Sequence, residues 1–203
     1  MQKKNKPRTK SDLKVLESSI LLFSRHGFGG ATVRDVAEHA RVTTMTMYRG
    51  FKDKDDLVEE AVRLVIKRHF DPSQFLMVVF QDPAKQALDA LLLAALMRWY
   101  AALPLPAAKL LINAYLSDSE KLRSMAAEAV EELTKVLTNF IDRELQRRPK
   151  SKITPSVAAR ALLMAVLHLK MLSPEEKSPK EEKEEAAQVE EILRYCLMGL
   201  REG

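Results

Sequence analysis

Cysteine is nearly absent from this chain: Cys196 stands alone, which excludes an intramolecular disulfide and a cysteine-rich zinc site. Glycine is scarce at six residues, and aromatics are limited to 7 Phe, 4 Tyr and 1 Trp. With Ala, Leu, Glu and Lys abundant, the balance points to an all-α protein. No apolar run reads as long enough to span a bilayer, and the basic N-terminus is not followed by an apolar signal core. The composition therefore predicts a soluble, cytoplasmic protein with no membrane partner. Glycine-rich phosphate loops and nucleophile motifs are missing as well. His26, His39, His69 and His168 lack metal-ligand spacing, and Asp53, Asp55 and Asp56 suit a solvated helix start better than a catalytic cluster. The expectation is a non-enzyme with no catalytic residues, no metal and no cofactor.

Hydrophobic residues, by contrast, make up 46% of the 203 positions, enough for a substantial core. Charge is unevenly spread. Residues 1–70 hold 15 Lys and Arg against 9 Asp and Glu, a net +6, while the remainder holds 18 against 19. A basic module on a near-neutral body is the pattern of a phosphate-binding head. Residues 1–11 carry Lys3, Lys4, Lys6, Arg8 and Lys10 with almost nothing apolar. They read as a flexible basic arm, either a solvated tail or a segment that tracks phosphates or enters a minor groove.

The stretch from Ser19 to Leu57 reads as the end of one short amphipathic helix, two complete ones and the start of a fourth. Helix 1 is predicted over Asp12 to His26, with Leu13, Leu16, Ile20 and Phe23 as its buried stripe and Gly27 as a left-handed terminator. Thr32 and Asp35 resemble a capping box opening helix 2. Only Arg41 and Val42 separate that helix from a third, capped by Thr43 and carrying Thr44 to Tyr48. This is a helix-turn-helix, which places one short helix in the major groove of DNA. A charged break at Lys52 to Asp56 leads into helix 4, about Lys54 to His69.

Further helices are expected beyond Asp71. One opens at Asp82-Pro83 and is apolar nearly all round, as a central bundle helix should be. Shorter and longer ones follow at about 107–116 and 119–147. Thr154-Pro155 repeats the cap-plus-proline signal before a mostly apolar helix ending at Leu172. Residues 173–185 read as a charged linker, and a final helix shows Val189, Leu193, Cys196, Leu197 and Leu200 on one face. The organisation predicted is a three-helix helix-turn-helix head at 12–57, with helix 4 linking to about 70, and a helical-bundle body at 71–203, about nine helices in all. Two such apolar C-terminal helices, about 155–172 and 186–201, suggest a homodimer that packs them against their symmetry mates, with ordinary core helices of a monomer as the alternative.

The segment from Ile20 to Val62 resembles the tetracycline-repressor (TetR-like) family of bacterial transcription regulators. The resemblance rests on Phe23, Gly27-Phe28, Ala31 to Ala37, Ala40, Val42-Thr43, Met47-Tyr48, Phe51, Lys54 and Leu57 in order and at the family's spacing. It covers about a fifth of the chain. It implies that Phe23, Phe28, Val36, Ala37, Val42, Met47, Phe51 and Leu57 form the head's core. Thr32 then stands at a helix N-terminus suited to phosphate, with Tyr48 and Lys54 gripping the DNA backbone. Base reading falls to Thr44, Met45 and Thr46, with Arg34 and Arg49 as longer reaches. Thr43 is a further candidate DNA contact, with a plain helix cap as its alternative, and Thr46 has the alternative of a plain surface residue. Two positions depart from the family pattern: Arg41 replaces the usual turn glycine, and Gly50 stands where an aromatic or His is common.

The resemblance further implies a homodimeric repressor on an inverted-repeat operator in double-stranded DNA, released by a small apolar effector that alters the spacing of the two heads. Candidate pocket residues are Met97, Trp99, Tyr100, Asn113, Tyr115, Met125, Phe140, Met164 and His168, each of which also reads as ordinary core. The competing reading is a DNA-binding adaptor controlled by a protein partner.

Overall fold

The computed structural model describes residues 9–73, 88–145 and 154–202. Nine helices run through these segments, and no strand occurs among the described residues. In chain order they are α1 (Lys10–Gly30), α2 (Val33–Ala40), α3 (Thr44–Gly50), α4 (Lys54–His69), α5 (Leu88–Ala102), α6 (Leu105–Tyr115), α7 (Glu120–Leu145), α8 (Pro155–Leu172) and α9 (Pro179–Glu202). The all-α expectation holds. The start expected at Asp82-Pro83 and the end expected at Arg147 lie outside the described residues.

Two compact units divide the chain. The first comprises residues 1–68 and 109–126, the second 69–108 and 127–203. The N-terminal unit thus takes in a segment that the sequence assigned to the body. Asn113 shows why: its Nδ2 donates to the carbonyl of Phe23 at 3.3 Å, and Lys121 pairs with Glu59 at 2.5 Å.

In the N-terminal unit, α1 begins two residues before the expected Asp12. Thr9 caps it reciprocally: the Asp12 N–H donates to Thr9 Oγ1 at 3.1 Å, and the Thr9 N–H donates to Asp12 Oδ2 at 2.9 Å. Lys10 and Ser11 are therefore helical rather than part of a flexible arm, and residues 1–8 lie outside the described residues. Leu16 and Phe23 are buried as expected, with Leu13 and Ile20 half-buried beside them. Helix α1 breaks at Gly27, whose φ of 69° is positive but whose ψ of 172° is extended rather than left-handed helical. That region of backbone space is essentially open to glycine alone. Past the break, Phe28 meets Phe23 edge to face at 5.9 Å.

Of the predicted head core, Phe23, Val36, Ala37, Met47, Phe51 and Leu57 are buried, and Phe28 and Val42 are half-buried. Helix α4 adds Val58, Ala61, Val62 and Val65. The charged break before it is a cap: Asp53 Oδ1 accepts from the Asp56 N–H at 2.8 Å, while Asp56 Oδ2 accepts from the Lys52 N–H at 2.9 Å.

In the second unit, α5 buries Leu92, Leu93, Leu96 and Tyr100, and α8 buries Leu162, Leu163, Val166 and Leu167. Thr154 precedes Pro155 as expected but makes no side-chain capping bond. The linker expected at 173–185 is shorter, because Ser178 and Glu181 form a reciprocal cap and Pro179 opens α9. Its charged residues 181–185 are helical. Val189, Leu193 and Leu197 are buried as predicted, Cys196 is exposed, and the side chain of Leu200 lies outside the described residues. One composition-based expectation fails: α8, at 18 residues and mean hydropathy 1.4, is long and apolar enough to cross a membrane. The sequence reading missed it because Arg160, His168 and Lys170 interrupt the run without lowering its average below that level.

Candidate nucleic-acid interface

Helix α2 starts from a reciprocal cap. The Asp35 N–H donates to Thr32 Oγ1 at 3.2 Å, and the Thr32 N–H and hydroxyl both donate to Asp35 Oδ2, at 2.8 and 2.7 Å. These bonds hold the Asp35 carboxyl below its ordinary value, the backbone N–H of Thr32 contributing most. The Thr32 hydroxyl expected at a phosphate is thus engaged within the cap. Any phosphate at this helix end meets the following amides and the Asp35 charge together. Arg34 is exposed in the first turn.

Arg41 ends α2 in the left-handed conformation, φ 54° and ψ 46°. The Val42 N–H reaches the Ala37 carbonyl at 3.0 Å and the Arg41 N–H reaches that of Glu38 at 3.0 Å. This is the closed C-terminal turn that glycine usually supplies, here made by an arginine. A hydrogen bond between His39 Nδ1 and Ser18 Oγ at 3.0 Å ties α2 to α1.

Helix α3 follows at once. Thr43 caps it by accepting from the Thr46 N–H at 3.2 Å. Only Met47 is buried, at 2% exposure, and apart from the half-buried Thr46 the helix faces outward. Met45 is 75% exposed and Tyr48 57%, unusual for large apolar side chains, with Thr44 and Arg49 exposed beside them. Thr46 is half-buried and already engaged: its hydroxyl bonds to Thr43 Oγ1 at 2.9 Å and accepts from Arg49 Nη2 at 3.1 Å. Lys54 is half-exposed in the first turn of α4.

Gly50 closes α3 against α1. A Cβ there would sit 2.5 Å from Asp12 Oδ1, the carboxylate that caps α1. A larger residue at this position must displace that carboxylate, a contact set by helix packing and not by any neighbour along the chain. The Thr43–Thr46–Arg49 chain was equally hidden, although the i, i+3 spacing of these three residues on one helix is a signal for it.

The candidate pocket residues fall in both units. Asn113, Tyr115 and Met125 belong to the first; Met97, Trp99, Tyr100, Phe140, Met164 and His168 belong to the second. Asn113 is bonded to the Phe23 carbonyl, and Tyr115, Met164 and His168 are exposed. Met97, Trp99, Met125 and Phe140 are half-buried. Trp99 donates to the His69 carbonyl at 2.7 Å and stands edge-on to Phe70 at 5.5 Å. Tyr100 is buried in a polar cluster with Lys170, Ser173, Lys177 and Glu185, of which the sequence singled out only the tyrosine.

A sequence profile described as bacterial regulatory proteins, tetR family, matches residues 15–61. The biofilm operon icaADBC HTH-type negative transcriptional regulator IcaR of Staphylococcus aureus (strain Newman) is 27% identical over 78 residues, 38% of this chain and 40% of that protein. The chain thus matches less than half the length of its curated relatives. Over nearly the whole chain, the ketosteroid transcriptional regulator KstR2 of Mycobacterium tuberculosis is similar with a TM-score of 0.74 and 16% identity, covering 95% of each chain. The transcriptional regulator FadR of Bacillus subtilis, solved with stearoyl-CoA, gives 0.67 and 14%, covering 91% and 96%. At these identities the whole-chain likeness is one of fold.

Proposed function

We propose, from an N-terminal domain that belongs to the tetR family of bacterial regulatory proteins, that the chain is a sequence-specific transcriptional regulator acting as a homodimeric repressor on an inverted-repeat operator. The observation that carries this reading is α3: seven residues with one buried side chain, presenting Thr44, Met45, Tyr48 and Arg49 outward after a closed turn. Such a helix has little reason to expose Met45 and Tyr48 unless a partner covers them. In the major groove, Met45 and the Thr44 methyl would pack on thymine methyl groups while Arg49 pairs with guanine. Thr46 holds the Arg49 guanidinium and so acts mainly through it. Tyr48 and Lys54, with the amides opening α2, would grip phosphates and fix register.

Dimerisation is supported by α8 and α9. Val157, Ala161, Met164, His168 and Leu172 form one outward stripe on α8, with Val157 65% and Leu172 68% exposed. On α9, Ile192, Tyr195 and Met198 are exposed, Tyr195 at 78%. Two adjacent apolar stripes suit an isologous contact with a second copy. Release by a small effector draws on the fold shared with a regulator solved with stearoyl-CoA. Selection of bound duplexes from a random pool tests the whole reading. Enrichment of an inverted repeat is expected; enrichment of a single unrepeated half-site overturns the dimer, and no enrichment overturns sequence-specific binding.

A further inference from the structure

Beneath the α8–α9 connection, four side chains, Tyr100, Lys170, Ser173 and Lys177, gather around one carboxylate, that of Glu185. Glu185, in the second turn of α9, accepts at Oε1 from the Tyr100 hydroxyl of α5 and from Ser173 Oγ, the latter at 2.7 Å. Its Oε2 is buried, faces the Lys177 ammonium, and accepts no hydrogen bond of ordinary geometry. The Lys170 ammonium lies 4.0 Å from the centre of the Tyr100 ring, in a side chain that is only 9% exposed. No carboxylate among the described residues pairs with it.

The cluster therefore holds two ammonium groups against one carboxylate, largely out of water. Buried charges are ordinarily paired, and an aromatic face offsets only part of the cost. Burial and the neighbouring Lys177 charge depress Lys170, consistent with a cation short of a counter-ion. One further negative charge would balance the group. Glu185 also shows the shape of the missing partner, since two hydroxyl donors and an ammonium already enclose a planar, two-oxygen acid. Leu96 on α5 and Leu103 just beyond its end flank Tyr100 in sequence, and Val166 and Leu167 precede Lys170 on α8, all buried.

We propose that Tyr100, Lys170, Ser173 and Lys177 form a receptor for the ionised head of an amphiphilic carboxylic acid, with Glu185 as the internal carboxylate that competes for the same donors. This rests on the reading that the body binds a small effector and gives that effector a chemical class: a monoanionic acid with an apolar tail. A phosphate monoester, carrying close to two charges, over-neutralises the site.

Calorimetric titration of the full-length protein, without DNA, with octanoate, octanamide and octyl phosphate tests the assignment. Octanoate is expected to bind about tenfold tighter than either alternative, the scale of one charge-assisted hydrogen bond. Lys170→Met should abolish that preference, and Glu185→Gln should tighten octanoate by removing the competing charge. A purely structural latch predicts the opposite sign for Glu185→Gln. Equal binding of octanamide, tighter binding of octyl phosphate, a preference that survives Lys170→Met, or no binding at all overturns the proposal. If either variant fails to fold, Ser173→Ala carries the test: it should weaken octanoate and leave octanamide unchanged, and equal effects on both overturn the receptor. A separate DNA-release assay keeps the two readings apart. Release by octanamide as readily as by octanoate overturns the acid receptor and leaves effector control standing. Preferential octanoate binding without DNA release does the reverse.

Discussion

At Gly27 and Arg41 the backbone visits conformations that side chains resist, and the two positions make opposite predictions. A Cβ at Gly27 meets nothing within 4 Å, so Gly27→Ala costs only backbone strain. Its φ of 69° and ψ of 172° place that cost at about 1–3 kcal/mol. Arg41 already carries strain at φ 54°, and Arg41→Gly should recover about 1 kcal/mol. Chemical denaturation of both variants checks the pair; a stabilising Gly27→Ala or a destabilising Arg41→Gly contradicts it. Glu185 makes a prediction in pH. Burial pushes its carboxyl up, but bonds from Lys177, Tyr100 and Ser173 outweigh that and hold it at about 2. A carboxyl depressed on folding contributes stability fully above its ordinary value of 4.5 and loses it as pH falls toward about 2. Melting curves between these limits should fall more steeply for the native chain than for Glu185→Gln, and parallel curves would refute the assignment. Tyr100 is pushed the other way, to about 12, by burial first and the Glu185 bond second.

At the scale of elements, the head depends on short helices with well-made ends. Reciprocal caps open α1 and α2, and a closed turn joins α2 to α3 without a spare residue. Thr32→Ala removes one half of a cap and should cost about 1 kcal/mol, read by thermal unfolding. Contacts on α3 should divide by kind. Tyr48→Ala and Lys54→Ala are expected to weaken binding to all duplexes alike, with Lys54→Ala reducing the salt slope by about 1. Changes at Thr44, Met45 or Arg49 should instead shift sequence preference, and Thr46→Val should resemble a weakened Arg49. Binding measured on selected and scrambled duplexes at several salt concentrations separates the classes. Uniform effects of all these variants would defeat the division of labour.

For the whole molecule, the exposed stripes of α8 and α9 carry the prediction. Leu172→Glu with Tyr195→Glu places two charges in the proposed contact while touching no buried residue. Sedimentation should show a monomer that retains its helix content. Affinity for an inverted repeat should fall far more than affinity for one half-site. A dimer that survives both changes would move the interface elsewhere.

The sequence by itself determined the all-α class, the helix-turn-helix and most of its core, because these rest on local periodicity and on caps built within four residues. Thr32 with Asp35, the turn at Arg41 and the buried face of α2 are all of that kind. Some local signals were misjudged: Thr9 with Asp12 and Ser178 with Glu181 each lengthened a helix into a segment read as arm or linker. What only the tertiary structure decided are contacts between residues distant in sequence. Nothing near Gly50 announces Asp12, 38 positions earlier, and nothing near Tyr100 announces Glu185, 85 positions later. Such pairs are set by how helices pack, and packing depends on the shapes of whole faces rather than on the identity of any neighbour along the chain.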